Sequence, residues 1–232
     1  IYHNPRKKIS IQLGNPENLA NMLNKKVIFD YRSNDIQMGG QGAPIAPIYH
    51  QFLINEMKIN LPACILNIGG VANLSYWDGS TLLGFDTGPG NSLMDKYINE
   101  ISNKYYDNNG CLAAKGTPNR DFINKFMSDS FFSKKPPKSL DKNYFLNLYN
   151  DMLRDNLSVS DTLATFLECT VESICVSQKF LPRLSKNMLV TGGGCRNKYL
   201  MKRLKSRIKS NFIEENQLDF NCLLYTSPSP RD

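Results

Sequence analysis

The sequence predicts an α/β fold on three observations. The β-rich run "ACILNIGGVANLSYW" is split by Gly69-Gly70, which is typical of a hairpin. The apolar run "NMLVT" leads into Gly192–Gly194 and then into a helical pattern, an arrangement that places ligands at strand ends. Between these two segments, apolar residues that recur with a period of 3.6 residues predict a long helix. These residues are Leu163, Phe166, Leu167, Val171, Ile174 and Cys175.

Elements before and around the hairpin follow from local signals. "KKVIFDYRS" predicts a short strand from Lys25 to about Tyr31, "GGQGAPIAP" a loop, and "IYHQFLINEM" a helix. "STLLGFD" predicts a third strand after Asp78-Gly79. Asn91 is then expected to cap a helix from Ser92 to about Lys104.

The second half begins with a proline-broken loop, "FFSKKPPKSLDKNYF". Ser158 and Asp161 have the spacing of a capping box before the long helix. Residues 222–232 carry two prolines and no periodicity, and we predict a disordered, foreign tail there.

Composition excludes several classes of protein. The 232 residues are 41% hydrophobic and 21% charged, as in ordinary globular proteins. No apolar run approaches the roughly 20 residues of a membrane span, and no signal peptide is recognisable. Six cysteines without a Cys-x-x-Cys pair, beside two histidines, argue against zinc and favour free thiols in a reducing cytoplasm. The first residue is not Met, which suggests a start within a longer protein.

The net charge of +7 raises the question of nucleic acid. Much of it lies in "KYLMKRLKSRIK", where Met201, Leu204 and Ile208 define one helix face. We expect the basic residues to lie on the solvated faces. No series of aromatic residues interleaves with them as a stacking platform would need, so no nucleic-acid partner is predicted.

Three glycine turns stand at predicted strand ends: Gly69-Gly70, Asp86–Asn91 and Gly192–Gly194. Glycine lets backbone N–H groups approach a phosphate, and a following helix N-terminus adds a favourable dipole. Each turn by itself also fits a tight turn, but three together favour a nucleotide. None is a Walker loop or G-x-G-x-x-G. The pattern fits the domains that close over ATP in actin-like kinases.

Asp86 has two interpretations from the residues alone. A carboxylate at a strand end suits the base of a phosphoryl transfer. It equally suits an Asx turn, in which the side chain bonds nearby N–H groups.

Five motifs in order resemble the anhydro-N-acetylmuramic acid kinase family over about residues 1–220. They are "DYRSNDIQMGGQGAPIAPIYH", "LNIGGVANLSY", "GFDTGPGNSLMD", "PPKSLDKNYF" and "VTGGGCRNKYLMKRL". The resemblance implies the actin-like (ribonuclease H-like) fold of the sugar kinase, Hsp70 and actin superfamily. It also implies ATP, Mg²⁺, a cytoplasmic location and a possible homodimer, with no membrane partner.

In that family a water opens the 1,6-anhydro bond while the freed O6 takes the γ-phosphate. The product is N-acetylmuramic acid 6-phosphate, in peptidoglycan recycling and amino sugar catabolism. The resemblance makes Asp86 the base that activates the water. We expect the Gly88 and Gly90 N–H groups to help keep it ionised.

The resemblance also implies binding residues. For ATP they are Gly69, Gly70, Gly88, Gly90, Gly192, Gly193, Gly194 and Asn197. For the sugar they are Arg32, Asp35, Gly40, Gly42 and Asn91. The Arg32 guanidinium suits the lactyl carboxylate, although an ion pair with Asp30 or Asp35 is the alternative.

The sequence is predicted to contain only part of the family's two-domain organisation. Residues 1–60 would be the end of a first domain with the sugar-side loop, and 61–221 a second, ATP-binding domain. The family's S-G-T-S-x-D-G phosphate loop and C-terminal helix are absent, so the chain is expected to be inactive by itself. Alternatives are another sugar or acetate kinase of the superfamily, or a non-enzymatic actin- or Hsp70-like ATP-binding protein.

Overall fold

The computed structural model describes residues 2–4, 7–11, 13–40, 42, 45–141 and 144–213. The chain forms two compact units, Ile1–Ala46 and Pro47–Asp232. The tail predicted at 222–232 lies outside the described residues.

The first unit contains short elements. A hairpin joins β1 (Tyr2–Asn4) to β2 (Ile9–Ile11), and α1 (Pro16–Leu23) and α2 (Ser33–Gln37) follow. The strand predicted from Lys25 is wrong, because this segment is irregular. Asp30 has a left-handed backbone (φ 59°) and its Oδ1 accepts from the Ser33 N–H, which turns the chain into α2.

The second unit is built on one five-stranded sheet. Its strands are β3 (Ala63–Ile68), β4 (Val71–Trp77), β5 (Leu82–Pro89), β6 (Asn187–Thr191) and β7 (Asn211–Ile213). Their order is β5-β4-β3-β6-β7; β3, β4 and β5 are antiparallel, whereas β6 runs parallel to β3 and β7 parallel to β6. This mixed sheet confirms the α/β class and has the strand arrangement of the predicted actin-like fold.

The third strand is longer than predicted and ends differently. β5 continues past Asp86 to Pro89, with a bulge that places Asp86 opposite Asn73 and Gly88 opposite Ala72. Asn91 precedes the next helix but does not cap it with its side chain. Its amide Nδ2 instead donates to the Ile68 carbonyl at 3.4 Å.

Seven helices surround this sheet within the described part of the second unit, beside several short 3₁₀ turns. They are α3 (Ala46–Glu56), α4 (Ser92–Ser102), α5 (Arg120–Met127), α6 (Ser130–Ser133), α7 (Leu146–Leu153), α8 (Val159–Ser177) and α9 (Lys198–Arg207). The predicted capping box is confirmed, since the Ser158 side chain accepts from the Asp161 N–H at 3.1 Å. The short helix α6 forms within the segment predicted as a loop.

The two faces of the sheet bury different side chains. The larger core packs alternate strand residues such as Leu66 and Leu74 with Phe166 of α8. The smaller core, on the other face, packs Ile65 with Leu53 of α3. Every second residue along a strand therefore lies on the same face of the sheet, because side chains alternate between the two faces.

The basic helix α9 is only partly a solvated surface. Arg203 and Arg207 hydrogen-bond to Glu168 of α8, at 2.8 and 3.1 Å, and Arg207 also bonds to Glu172. Glu168 is 1% exposed, whereas the Arg203 and Arg207 side chains are 30% and 34% exposed. The basic residues of this helix therefore keep contact with solvent as expected, and two of its arginines also pair with carboxylates of α8.

Cysteine pairing and membrane insertion can be judged for the described residues. Five cysteines there are free, and burial raises the pKa of the Cys64 thiol to about 12. No described helix is both long enough and apolar enough to cross a membrane.

Candidate active site

The three predicted glycine turns meet at one edge of the sheet. β3 and β6 are parallel, so Gly69-Gly70 and Gly192–Gly194 follow strands that end side by side. The third turn closes onto the first, because the Gly90 N–H donates to the Gly70 carbonyl at 3.0 Å. The Asn91 N–H donates to the Gly69 carbonyl at 2.7 Å.

Several of these glycines are needed for packing. A Cβ on Gly90 would overlap the Gly69 carbonyl, and one on Gly194 would overlap the Ile68 side chain. A Cβ on Gly88 would lie 2.5 Å from the Ser173 side chain. Gly192 has a left-handed backbone (φ +82°), and its Cβ would lie 2.6 Å from the Asn67 Oδ1.

Gly69, Gly70 and Gly193 have free space instead. The nearest atoms to an added Cβ lie at 3.6, 3.9 and 3.8 Å, which is ordinary contact distance. Packing does not explain glycine at these three positions. They are where a ligand can approach the backbone.

Asp86 is held by a segment distant in the sequence. Its backbone N–H donates to the Lys138 carbonyl at 3.0 Å, and its Oδ2 accepts from the Leu140 N–H at 2.7 Å. Burial raises the pKa of the carboxyl to about 6, although the Leu140 bond and the Lys138 charge act in the opposite direction. The Asx-turn alternative is wrong among the described residues, since this bond spans 54 positions.

One expected contact of the carboxylate is not made. The Gly90 N–H, predicted to keep Asp86 ionised, is used by the Gly70 carbonyl in the turn. The stabilising N–H group comes from Leu140 instead. The structure gives Gly88 no contact with the carboxylate; it lies opposite Ala72 in the sheet.

Lys138 is a site residue that the sequence analysis did not single out. Its side chain is buried, and Nζ donates to the Phe131 carbonyl at 3.0 Å. Nζ also lies 4.3 Å from the ring centre of Phe131 and 4.6 Å from that of Phe180. Burial lowers the pKa of this ammonium to about 8. The signal available in the sequence was its position directly after the proline pair of the motif "PPKSLDKNYF".

The sugar-side residues of the first unit form one cluster. Arg32 Nη1 donates to the Gly42 carbonyl, and Asp35 Oδ2 accepts from the Gly42 N–H at 2.7 Å. A Cβ on Gly40 would overlap the Asp35 carboxylate. Among the described residues Arg32 forms no ion pair with Asp30 or Asp35, and its Nε is buried without a partner.

Asn197 has a clear structural role. Its Oδ1 accepts from the Leu200 N–H at 3.0 Å and caps α9. A contact with the adenosine therefore stays a prediction. Within the described part of the chain, no group of three or more His, Cys, Asp or Glu side chains could hold a metal ion.

These features define a class: an α/β protein with a mixed sheet, one edge of which carries glycine turns and a single carboxylate of raised pKa. The sequence model of the family described as anhydro-N-acetylmuramic acid kinase matches residues 1–220. The chain belongs to this family.

Curated relatives carry the same name. The chain is similar to the anhydro-N-acetylmuramic acid kinase of Rhodopseudomonas palustris, with 38% identity over 92% of this chain and 58% of that protein. It is 40% identical to the one of Pseudomonas syringae pv. tomato, over 94% of this chain and 60% of that protein. The chain thus spans about 58 to 60% of the length of these relatives.

Two solved structures also resemble the chain at low identity. One is the activator of the 2-hydroxyisocaproyl-CoA dehydratase from Clostridium difficile with bound ADPNP, with 15% identity and a TM-score of 0.46 over 74% of this chain and 59% of that one. The other is component A of the (R)-2-hydroxyglutaryl-CoA dehydratase of Acidaminococcus fermentans, with 14% identity and a TM-score of 0.44 over 66% and 54%.

Proposed function

We propose that this chain carries the nucleotide site and catalytic base of an ATP-dependent kinase. The kinase opens and phosphorylates 1,6-anhydro-N-acetylmuramic acid, giving N-acetylmuramic acid 6-phosphate. The observation that carries the proposal is Asp86, a largely enclosed carboxyl of raised pKa in the strand that leads to the glycine-lined edge. Membership of the family supplies the substrate class.

The Asp86 carboxylate is the base. It takes a proton from the water that attacks the anomeric carbon, while the 1,6-anhydro C–O bond breaks and the freed O6 receives the phosphoryl group. A base must be ionised before it accepts the proton, and a pKa of about 6 leaves most of this carboxyl ionised at neutral pH. The Leu140 N–H holds Oδ2, so it orients the carboxylate and favours the charged form.

We assign the ATP contacts to the glycines that have free space beside them. Gly69, Gly70 and Gly193 offer backbone to the nucleotide, because nothing in the protein fills their side-chain space. Gly88, Gly90, Gly192 and Gly194 keep the turns closely packed behind them. Asn197 lies after this last turn, on the adenosine side.

Further assignments are parts of the same proposal. Arg32, Asp35, Gly40, Gly42 and Asn91 contact the sugar. Mg²⁺ would neutralise phosphate charge, and with no ready-made metal cluster in the described chain its ligands would be mainly phosphate oxygens and water. The enzyme acts in the cytoplasm as a homodimer.

Coupled ADP release with 1,6-anhydro-N-acetylmuramic acid tests the proposal. The assay uses the 232-residue chain and the same chain extended with the terminal segments of the R. palustris relative. In the extended chain, Asp86→Asn should lower turnover by about 10²-fold or more. Asp121→Asn, an exposed aspartate in the first turn of α5, is the control and should keep full turnover.

Other outcomes have distinct meanings. Turnover of an ordinary sugar but not the anhydro sugar would point to another kinase of the superfamily. Nucleotide binding without turnover of any sugar would favour an ATP-binding protein that is not an enzyme. Full turnover by Asp86→Asn would remove Asp86 from the mechanism.

A further inference from the structure

A row of polar side chains crosses the sheet from Asp86 to the Gly192 turn. Asp86 is opposite Asn73, Asn73 is opposite Asn67, and Asn67 is opposite Thr191. Directly opposite residues on neighbouring strands share a face, so all four lie on one face. We call them the polar row. It crosses three interstrand spacings, about 14 Å, which exceeds one phosphate group and is comparable to an extended mononucleotide.

The helix α3 covers the same face beyond the polar row. His50 Nδ1 lies 2.7 Å from Ser75 Oγ, and the Trp77 indole N–H donates to Asn55 at 3.1 Å. The helix therefore runs in the same direction as β4. Its N-terminal end, which carries the positive end of the helix dipole, is thus the end nearer to the polar row.

The hydroxyl of Thr191 points to a missing ligand. Thr191 is only 6% exposed, and its Oγ1 is buried without a hydrogen-bond partner. A buried hydroxyl without a partner is costly, and native proteins seldom tolerate it unless a ligand or water supplies the bond. Thr191 immediately precedes Gly192, at the edge where the glycine turns meet.

The two asparagines are also available for binding. Asn67 lies between two turns: its Oδ1 is 2.6 Å from the position of a Cβ on Gly192, and its Nδ2 is 3.9 Å from that on Gly69. The side-chain amides of Asn67 and Asn73 form no hydrogen bond with another described residue, and both side chains are half-buried. Asparagine is disfavoured within strands, so packing does not account for two of them side by side.

We propose that Asn67, Asn73 and Thr191 bind the phosphate chain of a nucleoside triphosphate. Their amide N–H and hydroxyl groups donate to phosphate oxygens. Asn73 binds the terminal phosphate, because it is the neighbour of Asp86, and Thr191 binds nearer to the nucleoside. This assignment rests on the proposed function, which brings ATP to this edge but assigns none of these three residues.

Calorimetric titration of the chain with a non-hydrolysable ATP analogue, ADP and adenosine, each with Mg²⁺, tests the assignment. Thr191→Val keeps the shape and removes the hydroxyl. We expect it to weaken analogue binding about threefold to tenfold and to raise the melting temperature of the free protein. Asn73→Ala should weaken binding of the analogue more than that of ADP. Asn124→Ala, on the exposed side of α5, is the matched control and should change neither.

Each other result overturns something specific. If the wild-type chain binds the analogue and Thr191→Val and Asn73→Ala bind it equally well, the polar row is not a phosphate site, while the proposed function stands. Equal losses for the analogue, ADP and adenosine would contradict the assignment to the phosphate chain. If the wild-type chain binds no nucleotide, both the proposed function and this assignment fail.

Discussion

The backbone N–H of Leu140 donates a 2.7 Å hydrogen bond to Oδ2 of Asp86, and it joins the proline-containing segment to the fifth strand. Enclosure of the carboxyl raises its pKa, whereas this bond lowers it. The result, a pKa of about 6, leaves the group ionised at neutral pH and still basic enough to accept a proton.

Asp86 and His50 make opposite contributions to the pH dependence of stability. Burial raises the pKa of Asp86 from 3.8 to about 6, so the folded state holds this proton more tightly and stability falls as the pH rises through that window. Burial lowers the pKa of His50 from 6.5 to about 4, so the unfolded state holds this proton more tightly and stability falls as the pH drops. Between about pH 4 and 6 the two contributions nearly cancel.

In Asp86→Asn, the pH dependence of stability should therefore show the contribution of His50 by itself. We expect the variant to lose stability on acidification from pH 6.5 to 4.5 relative to wild type, by up to about 1.4 kcal/mol per pH unit. His50→Gln should instead gain stability over the same range. Urea unfolding at three pH values measures both slopes, and parallel curves for Asp86→Asn and wild type would show that Asp86 has an ordinary pKa.

Lys138→Met should raise the pKa of Asp86 further. The Lys138 ammonium is the charge that opposes the effect of burial on this carboxyl, and methionine keeps much of its length without the charge. Carbon NMR titration of the aspartate carboxyls, with Asp86→Asn to assign the signal, measures the shift. Lys135→Met, at an exposed position three residues earlier, should leave the titration unchanged. An unchanged titration in Lys138→Met would mean that the Lys138 charge does not affect the pKa of Asp86.

The parts of the fold that sequence patterns predicted are those with local signals. The hairpin around Gly69-Gly70 and the capping box at Ser158 depend on neighbouring residues, and both are confirmed. The predicted strand at Lys25 failed because the left-handed Asp30 and its bond to Ser33 override β-propensity.

The site was less accessible to sequence reasoning because its contacts are distant in the chain. Leu140 reaches Asp86 across 54 positions, and no periodicity predicts that pairing. The polar row depends on the register of four strands, including the parallel alignment of Asn67 with Thr191 across more than a hundred residues. Asn67 and Asn73 are visible as polar residues within apolar strands, but only the register places them beside Asp86.

Two glycine-to-alanine changes separate packing from ligand binding. Gly90→Ala would push a methyl group into the Gly69 carbonyl and should lower the free energy of unfolding by about 1–3 kcal/mol. Gly193→Ala finds its nearest neighbour, the Asn91 amide, at 3.8 Å and should fold with unchanged stability. Under the proposed function it should nevertheless weaken ATP binding, because the methyl group would occupy the space assigned to the nucleotide. Unchanged affinity in Gly193→Ala would exclude the backbone of this turn from the nucleotide site.

Glu168→Gln should strongly destabilise the second unit. This buried carboxylate accepts from Arg203 and Arg207 and lies 3.8 Å from Arg120. Glutamine removes its charge, which weakens the pairing with Arg203 and leaves Glu172 as the carboxylate partner of Arg207. We expect the free energy of unfolding to fall by about 1.5–3 kcal/mol, the range for lost hydrogen bonds to a charged group. Glu172→Gln is the matched control; that side chain is 19% exposed and should cost about 1 kcal/mol or less. Denaturant unfolding of both variants measures the difference, and equal, small losses would show that α8 and α9 are held together by apolar packing alone.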